Sequence, residues 1–158
     1  MMAVARLVTT AENGSVRQVF KHILVAYDGS EGAKLALRRA CGLAGELQAD
    51  VCAISVEGRL PRYAATIGEV DEADRERHDY FARLQQEAQR LAADQGIQLG
   101  TQVVPGPAAE TIVEFAREGS YDLIVMGHKG HSRLHEYLVG ATTDRVAHLA
   151  PCSVLIVR

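Results

Sequence analysis

The sequence predicts an α/β domain, a mostly parallel, doubly wound sheet with helices on both faces. Three observations carry that expectation. Five short runs rich in Val, Ile and Leu punctuate the chain, the segments between them repeat apolar residues at helical spacing, and the two kinds of segment alternate strictly as β-α-β-α-β-α-β-α-β. Strict alternation forces parallel strands joined by right-handed crossovers, which lay helices on both faces of one sheet.

The strand-like runs are His22–Tyr27, Asp50–Val56, Gln98–Val104, Asp122–Met126 and Ser153–Val157. The first, fourth and fifth are nearly continuous apolar runs, the pattern of strands covered on both faces. Ser30 is a good N-cap for a first helix, in which Ala33, Ala36, Leu37, Ala40, Leu43, Ala44 and Leu47 share a face. A second helix is expected from about Val70 to Ala93, with Phe81, Leu84, Ala88, Leu91 and Ala92 inward and Gly96 as its stop. A third starts at Gly106-Pro107, with proline at the first helical position and Ile112, Val113 and Ala116 facing the core. A fourth begins near Gly140, carries Val146 and Leu149, and is stopped by Pro151. Residues 57–69 are left as the one longer loop, and residues 1–19 as a polar, mobile extension of a single domain spanning 20–158.

The chain has 158 residues, 47% of them apolar, enough for one sizeable core; with no Trp, that core is aliphatic. Net charge is −3 with both signs interspersed, which argues against a nucleic-acid protein. No apolar run is long enough to span a membrane, and the N-terminus lacks the apolar core of a signal peptide. Cys41, Cys52 and Cys152 have neither metal-ligand nor CxxC spacing; they are expected to be reduced core thiols of a cytoplasmic protein.

In an open α/β sheet, ligands bind beyond the carboxyl ends of the strands, where the strand order reverses. The loop after the fourth strand is the most informative of those that leave strand ends. Gly127, Gly130 and Gly140 form G-x2-G-x9-G directly after a buried strand and before a helix. Gly127 and Gly130 allow backbone N–H groups to approach an anion, and Gly140-Ala141-Thr142-Thr143 opens a helix whose first amides favour a phosphate. Lys129, His131 and Arg133 add positive potential. The competing reading is a glycine-rich turn that merely packs well. His128, His131 and His135 lack a carboxylate or thiol in a defined fourth position, so a metal site is not expected. There is no GxxxxGK[ST], no GxGxxG after the first strand and no GxSxG elbow, and no base is placed beside a nucleophile.

The segments Lys21–Ser30, Tyr121–Gly130 and Gly140–Val157 resemble the opening strand, glycine loop and closing strand of the universal stress protein family. The resemblance spans residues 20 to 158. It implies five parallel strands in the order 3-2-1-4-5, the adenine nucleotide alpha-hydrolase-like arrangement, with Asp28 and Gly127 across one crevice. It implies ATP or AMP as ligand, with Mg as an optional companion. Asp28 would accept a hydrogen bond from the adenosine, Val56 would act through its backbone, and Ala26 and Met126 would wall the base. Gly127, His128, Lys129, Gly130, His131, Ser132, Arg133, Gly140, Ala141, Thr142 and Thr143 would surround the phosphates. The ATP-binding branch has Ser or Thr after the third glycine. Ala141 stands there instead, which removes one hydrogen bond worth about 1.5–3 kcal/mol to a charged acceptor, and Thr142 and Thr143 are the nearest replacements. The implied function is nucleotide-dependent regulation in the stress response, with no catalytic residue, as a homodimer paired through Ser153–Arg158. The alternatives are a dimeric interaction module that binds no nucleotide, and a slow ATPase.

Overall fold

The computed structural model describes residues 9–10, 16–17, 19–58, 67–129 and 139–158. Gly130, His131, Ser132, Arg133 and His135 of the expected phosphate loop lie outside them. The elements in chain order are β1 (His22–Ala26), α1 (Glu31–Leu47), β2 (Asp50–Glu57), α2 (Ile67–Ala93), β3 (Leu99–Pro105), α3 (Ala108–Glu118), β4 (Leu123–Gly127), α4 (Ala141–Leu149) and β5 (Ser153–Val157). All five strands are parallel, in the order β3-β2-β1-β4-β5. Thr9–Thr10 and Val16–Arg17 pair antiparallel outside this sheet, a contact with no counterpart in the sequence pattern.

Period-two alternation sorts the sheet residues between two cores. Ile23, Val25 and Tyr27 of β1 and its exit face α1 and α2, together with Val51, Ala53 and Val125. Leu24 and Ala26 face the opposite core with Ile54, Met126 and Ile112 of α3. The strand starts are tied at one point, where the Asp122 carboxylate accepts from the amides of Lys21 at 2.8 Å and His22 at 3.1 Å.

Local signals set most helix ends. Ser30 caps α1, its hydroxyl accepting from the Ala33 amide at 3.2 Å. Gly96, at φ +73°, follows α2 in the left-handed turn expected of it. Pro107 is the N-cap of α3, not its first helical residue: at ψ 130° it is still extended, while its carbonyl accepts from Thr111. Leu149, at the end of α4, is 45% exposed rather than in the core, while Val146 one turn earlier is fully buried. The expected loop 57–69 is shorter at both ends, since β2 runs through Glu57 and α2 begins at Ile67. The cysteines are free thiols; Cys41 is buried, which pushes its thiol up to about 11, and Cys52 and Cys152 are half-buried.

Two contacts fix the carboxyl end of β4. An ideal Cβ on Gly127 would lie 2.6 Å from the carbonyl carbon of Gly32 and 3.0 Å from the Ala33 nitrogen, so the first turn of α1 rests on bare backbone. Gly140 differs: its φ is −61° and a Cβ would come no closer than 3.5 Å to any neighbour. The second contact is at His128, whose N–H donates to the Val157 carbonyl at 2.7 Å while its carbonyl accepts from the Gly140 amide at 2.9 Å. The Arg158 guanidinium, which can only donate, meets Nε2 at 3.1 Å, so the neutral ring carries its proton on Nδ1. Burial, then the charges of Arg158 and Lys129, hold the His128 imidazole below its ordinary value.

Two predictions follow from these contacts. Gly127→Ala lowers the urea midpoint by the equivalent of about 1–3 kcal/mol through overpacking, whereas Gly140→Ser, which installs a good N-cap, changes stability by about 0.5 kcal/mol or less. Because the folded state holds His128 neutral, the unfolded chain binds more protons there, so stability falls as pH drops below about 6.5. Melting curves between pH 7.5 and 5 show that fall in the wild type and a shallower one in His128→Gln.

Candidate functional site

β1 and β4 are neighbours in the sheet, and their chains leave on opposite faces, β1 into α1 and β4 toward α4. A crevice opens between them. It holds a cavity of about 330 Å³, within the size range of small-ligand sites. Its walls come from β1 and its exit (Ala26, Tyr27, Asp28), β2 (Ile54, Val56) and α3 (Ala108, Ile112). They also come from the end of β4 (Met126, Gly127, Lys129) and the start of α4 (Gly140 to Thr143), with Ser30 and Ala33 of α1 below.

The nucleoside-side residues expected from sequence are thus brought together: Ala26, Asp28, Val56 and Met126 all line this cavity. Asp28 also accepts from the Ser30 amide through Oδ1 at 3.0 Å, folding the turn into α1. Capping and cavity lining coexist in one carboxylate, because each of its oxygens has two lone pairs. Tyr27, Ser30, Ala33, Ile54, Ala108 and Ile112 also line the cavity and were not among the residues expected from sequence. The signal for Ile54 and Ala108 was present, since Ile54 is two residues before Val56 on the same strand face and Ala108 opens the helix leaving β3.

The phosphate-side residues divide. Gly127, Lys129, Gly140, Ala141, Thr142 and Thr143 line the cavity, and His128 does not. His128 is turned to Arg158, where the closing strand ends. The Gly140 amide is committed to the His128 carbonyl, and the Thr143 hydroxyl donates to the Gly127 carbonyl at 3.0 Å. Neither supplies a proton to an anion. The first intrahelical bond of α4 is Asp144 N–H to the Gly140 carbonyl, and no side chain caps the helix. The amides of Ala141, Thr142 and Thr143 therefore have no carbonyl of their own helix to meet, and the helix dipole concentrates positive potential there. An anion at this end of the cavity would be held chiefly by backbone, with the Thr142 hydroxyl and the Lys129 ammonium alongside. Among the described residues, no group of His, Cys, Asp and Glu has the arrangement of a metal site.

A larger cleft of about 480 Å³ lies elsewhere, between α2 and the β2–β3 edge. The Glu57–Arg77 ion pair at 2.5 Å spans it, and Asp74 also pairs with Arg77. Its charges satisfy one another, and it lies away from the switch point.

Comparison with known proteins agrees with this geometry. Residues 20–158 match the universal stress protein family. The chain is 32% identical over 148 residues to universal stress protein YxiE of Bacillus subtilis, covering 89% of this chain and all of that one. The structure of UspA from Lactobacillus plantarum superposes with a TM-score of 0.78 at 28% identity, over 88% of this chain and 98% of the other. A universal stress protein crystallised in complex with cAMP superposes with a TM-score of 0.69 at 23% identity, over 89% and 98%. No helix among the described residues is long and apolar enough to cross a membrane. With its parallel sheet in the order 3-2-1-4-5, its switch-point cavity and this match along nearly its whole length, the chain belongs to the universal stress protein family.

Proposed function

We propose that the switch-point cavity binds an adenine nucleotide, ATP or AMP, and that the protein acts as a nucleotide-dependent regulator in the stress response. The observation that carries this reading is that one cavity is lined by an apolar slot, a carboxylate and an uncapped helix start. Ala26, Ile54, Val56 and Met126 offer flat aliphatic walls suited to a purine. Asp28 offers an acceptor for ribose or base donors. The first turn of α4, with Lys129 beside it, offers amides and positive charge to a phosphate. The complex of a structural relative with cAMP supports the ligand class. The phosphate end relies on backbone because Ala141 brings no hydroxyl and the Thr143 hydroxyl is engaged; this favours modest affinity. Mg, where it accompanies ATP, would be held mainly by the phosphates themselves.

The same reading includes a homodimer through β5. This strand is a sheet edge, and Leu155 and Ile156, which point to opposite faces, are 40% and 36% exposed. An edge strand with exposed apolar side chains on both faces invites pairing with a second copy. Val154, half-buried against the α3–α4 core, belongs to the subunit itself. The competing reading, a dimeric module that binds no nucleotide, draws on Ala141 and on the packing role of Gly127.

Thermal shift separates the two. At a ligand concentration a hundredfold above Kd, binding adds about 2.7 kcal/mol, on the order of 5–10 °C for a domain of this size. Millimolar ATP or AMP raises the melting temperature of the wild type, Ala141→Ser enlarges the rise, and Asp28→Ala reduces it relative to its own ligand-free value. If no adenine nucleotide shifts either the wild type or Ala141→Ser, the interaction-module reading replaces this one. For the dimer, sedimentation at tens of micromolar gives two subunits for the wild type and one for Leu155→Glu. A monomeric wild type removes that part of the proposal.

A further inference from the structure

The strand that delivers Asp28 to the cavity also delivers Tyr27 to the other side of the sheet. Tyr27 is 2% exposed, and its hydroxyl donates to Glu87 Oε2 of α2 at 2.7 Å. The other oxygen of the same carboxylate meets the Lys34 ammonium of α1 at 3.0 Å, and Lys34 also reaches Glu31 at 3.3 Å. Both partners hold Glu87 ionised, the Tyr27 hydrogen bond most strongly, so the phenol donates to a charged acceptor. One turn earlier on the same face of α2, Leu84 covers the next residue of the turn. Gly29 has φ +77°, and a Cβ there would lie 2.6 Å from Leu84 Cδ2. The residues on both sides of Asp28 thus meet α2, Tyr27 by a side-chain hydrogen bond and Gly29 by steric contact, while the Ser55 hydroxyl of β2 donates to the Tyr27 carbonyl at 2.7 Å. Among the described residues α2 itself contributes nothing to the cavity wall.

We propose that Glu87 is a positioning residue: through the Tyr27 hydroxyl it holds the Asp28 turn in the geometry that receives the nucleoside end of the ligand, so that α2 sets the affinity of a cavity it does not line. The affinity part rests on the adenine-nucleotide reading above. The physical basis is the rigidity of the turn. Asp28 has to meet its ligand while keeping its own bond to the Ser30 amide, and a carboxylate that swings with a loosened backbone satisfies neither. Lys34 has a supporting role, holding the Glu87 carboxylate against α1 while the second oxygen faces Tyr27.

Hydrogen exchange of the ligand-free protein tests the mechanical half. Tyr27→Phe and Glu87→Ala each speed exchange of the Ser30 and Ala33 amides about tenfold, and Glu87→Gln, which keeps an acceptor oxygen, restores most of the protection. Unchanged exchange in Tyr27→Phe overturns the proposal, and so does Glu87→Gln behaving like Glu87→Ala, because the ion pair with Lys34 would then be the contact that matters. Calorimetric titration with ATP tests the other half. Tyr27→Phe weakens binding about tenfold in the wild-type background and leaves it unchanged in Asp28→Ala, since the effect runs through Asp28. An equal loss in both backgrounds shows general destabilisation and overturns the proposal. A wild type that binds no ATP defeats the nucleotide reading and the affinity claim with it, while the exchange data still decide whether Glu87 holds the turn.

Discussion

Much of this molecule depends on one close approach, the bare backbone of Gly127 against the first turn of α1. An ideal Cβ on Gly32 would fall 2.4 Å from the Lys129 carbonyl oxygen, and one on Gly127 would fall 2.6 Å from Gly32. The exit of β4 and the start of α1 therefore touch, with no side chain between them. That contact closes the crevice on the α1–α2 side of the sheet. The space that remains opens on the α3–α4 side, and most of its apolar lining, Ala26, Ile54, Val56, Ile112 and Met126, belongs to the α3–α4 core. The cavity thus extends mainly from one core, with Tyr27 and Ala33 of the other core at its border beside the glycine contact.

The end of the cavity at α4 is built mainly from backbone. The Gly127 carbonyl is satisfied by the Thr143 hydroxyl, and the His128 carbonyl by the Gly140 amide. Both bonds tie the start of α4 to the end of β4. They fix where the helix begins, and through it the direction of its dipole, at the cost of two donors that would otherwise face a ligand. Amides of a rigid helix start are already aimed and lose no rotamer freedom on binding, whereas a serine or lysine side chain does.

The fold was almost entirely legible, because strand runs and helix faces are short-range periodicities and neighbouring segments had no conflicting signal. Element ends moved by a residue or so where the backbone, not the side chain, makes the decision. Pro107 satisfies both the cap and the first helical position by its φ, and only the extended ψ distinguishes them. The glycines were legible as a pattern but not by role. Gly127 is demanded by a helix 95 residues earlier in the chain, at Gly32, and a spacing motif carries no information about such a contact. His128 was assigned to the ligand because it stands inside the motif. Its partner is the last residue of the chain, Arg158, which a window-based reading does not reach. The Tyr27–Glu87 bond, 60 residues apart, was invisible for the same reason.

Alternation along β1 gives these long-range contacts a common consequence. Successive residues of a strand point to opposite faces, so Ala26 and Asp28 join the cavity wall while Tyr27, which borders the cavity too, packs in the α1–α2 core. No residue at this strand end can be displaced without disturbing its neighbour on the other face. The cavity and the α1–α2 layer share a backbone of three residues, with the partly buried Tyr27–Glu87 hydrogen bond on one side and the cavity on the other. Side-chain packing transmits displacement poorly across a sheet, because the sheet's own ladder absorbs it. At the strand end the ladder has stopped: the last bond from β1 into β2 is Tyr27 N–H to the Ile54 carbonyl. Beyond that bond the Ser55 hydroxyl of β2 donates to the Tyr27 carbonyl at 2.7 Å, Asp28 accepts from the Ser30 amide, and Tyr27 and Gly29 meet Glu87 and Leu84, the shortest path from α2 to the cavity.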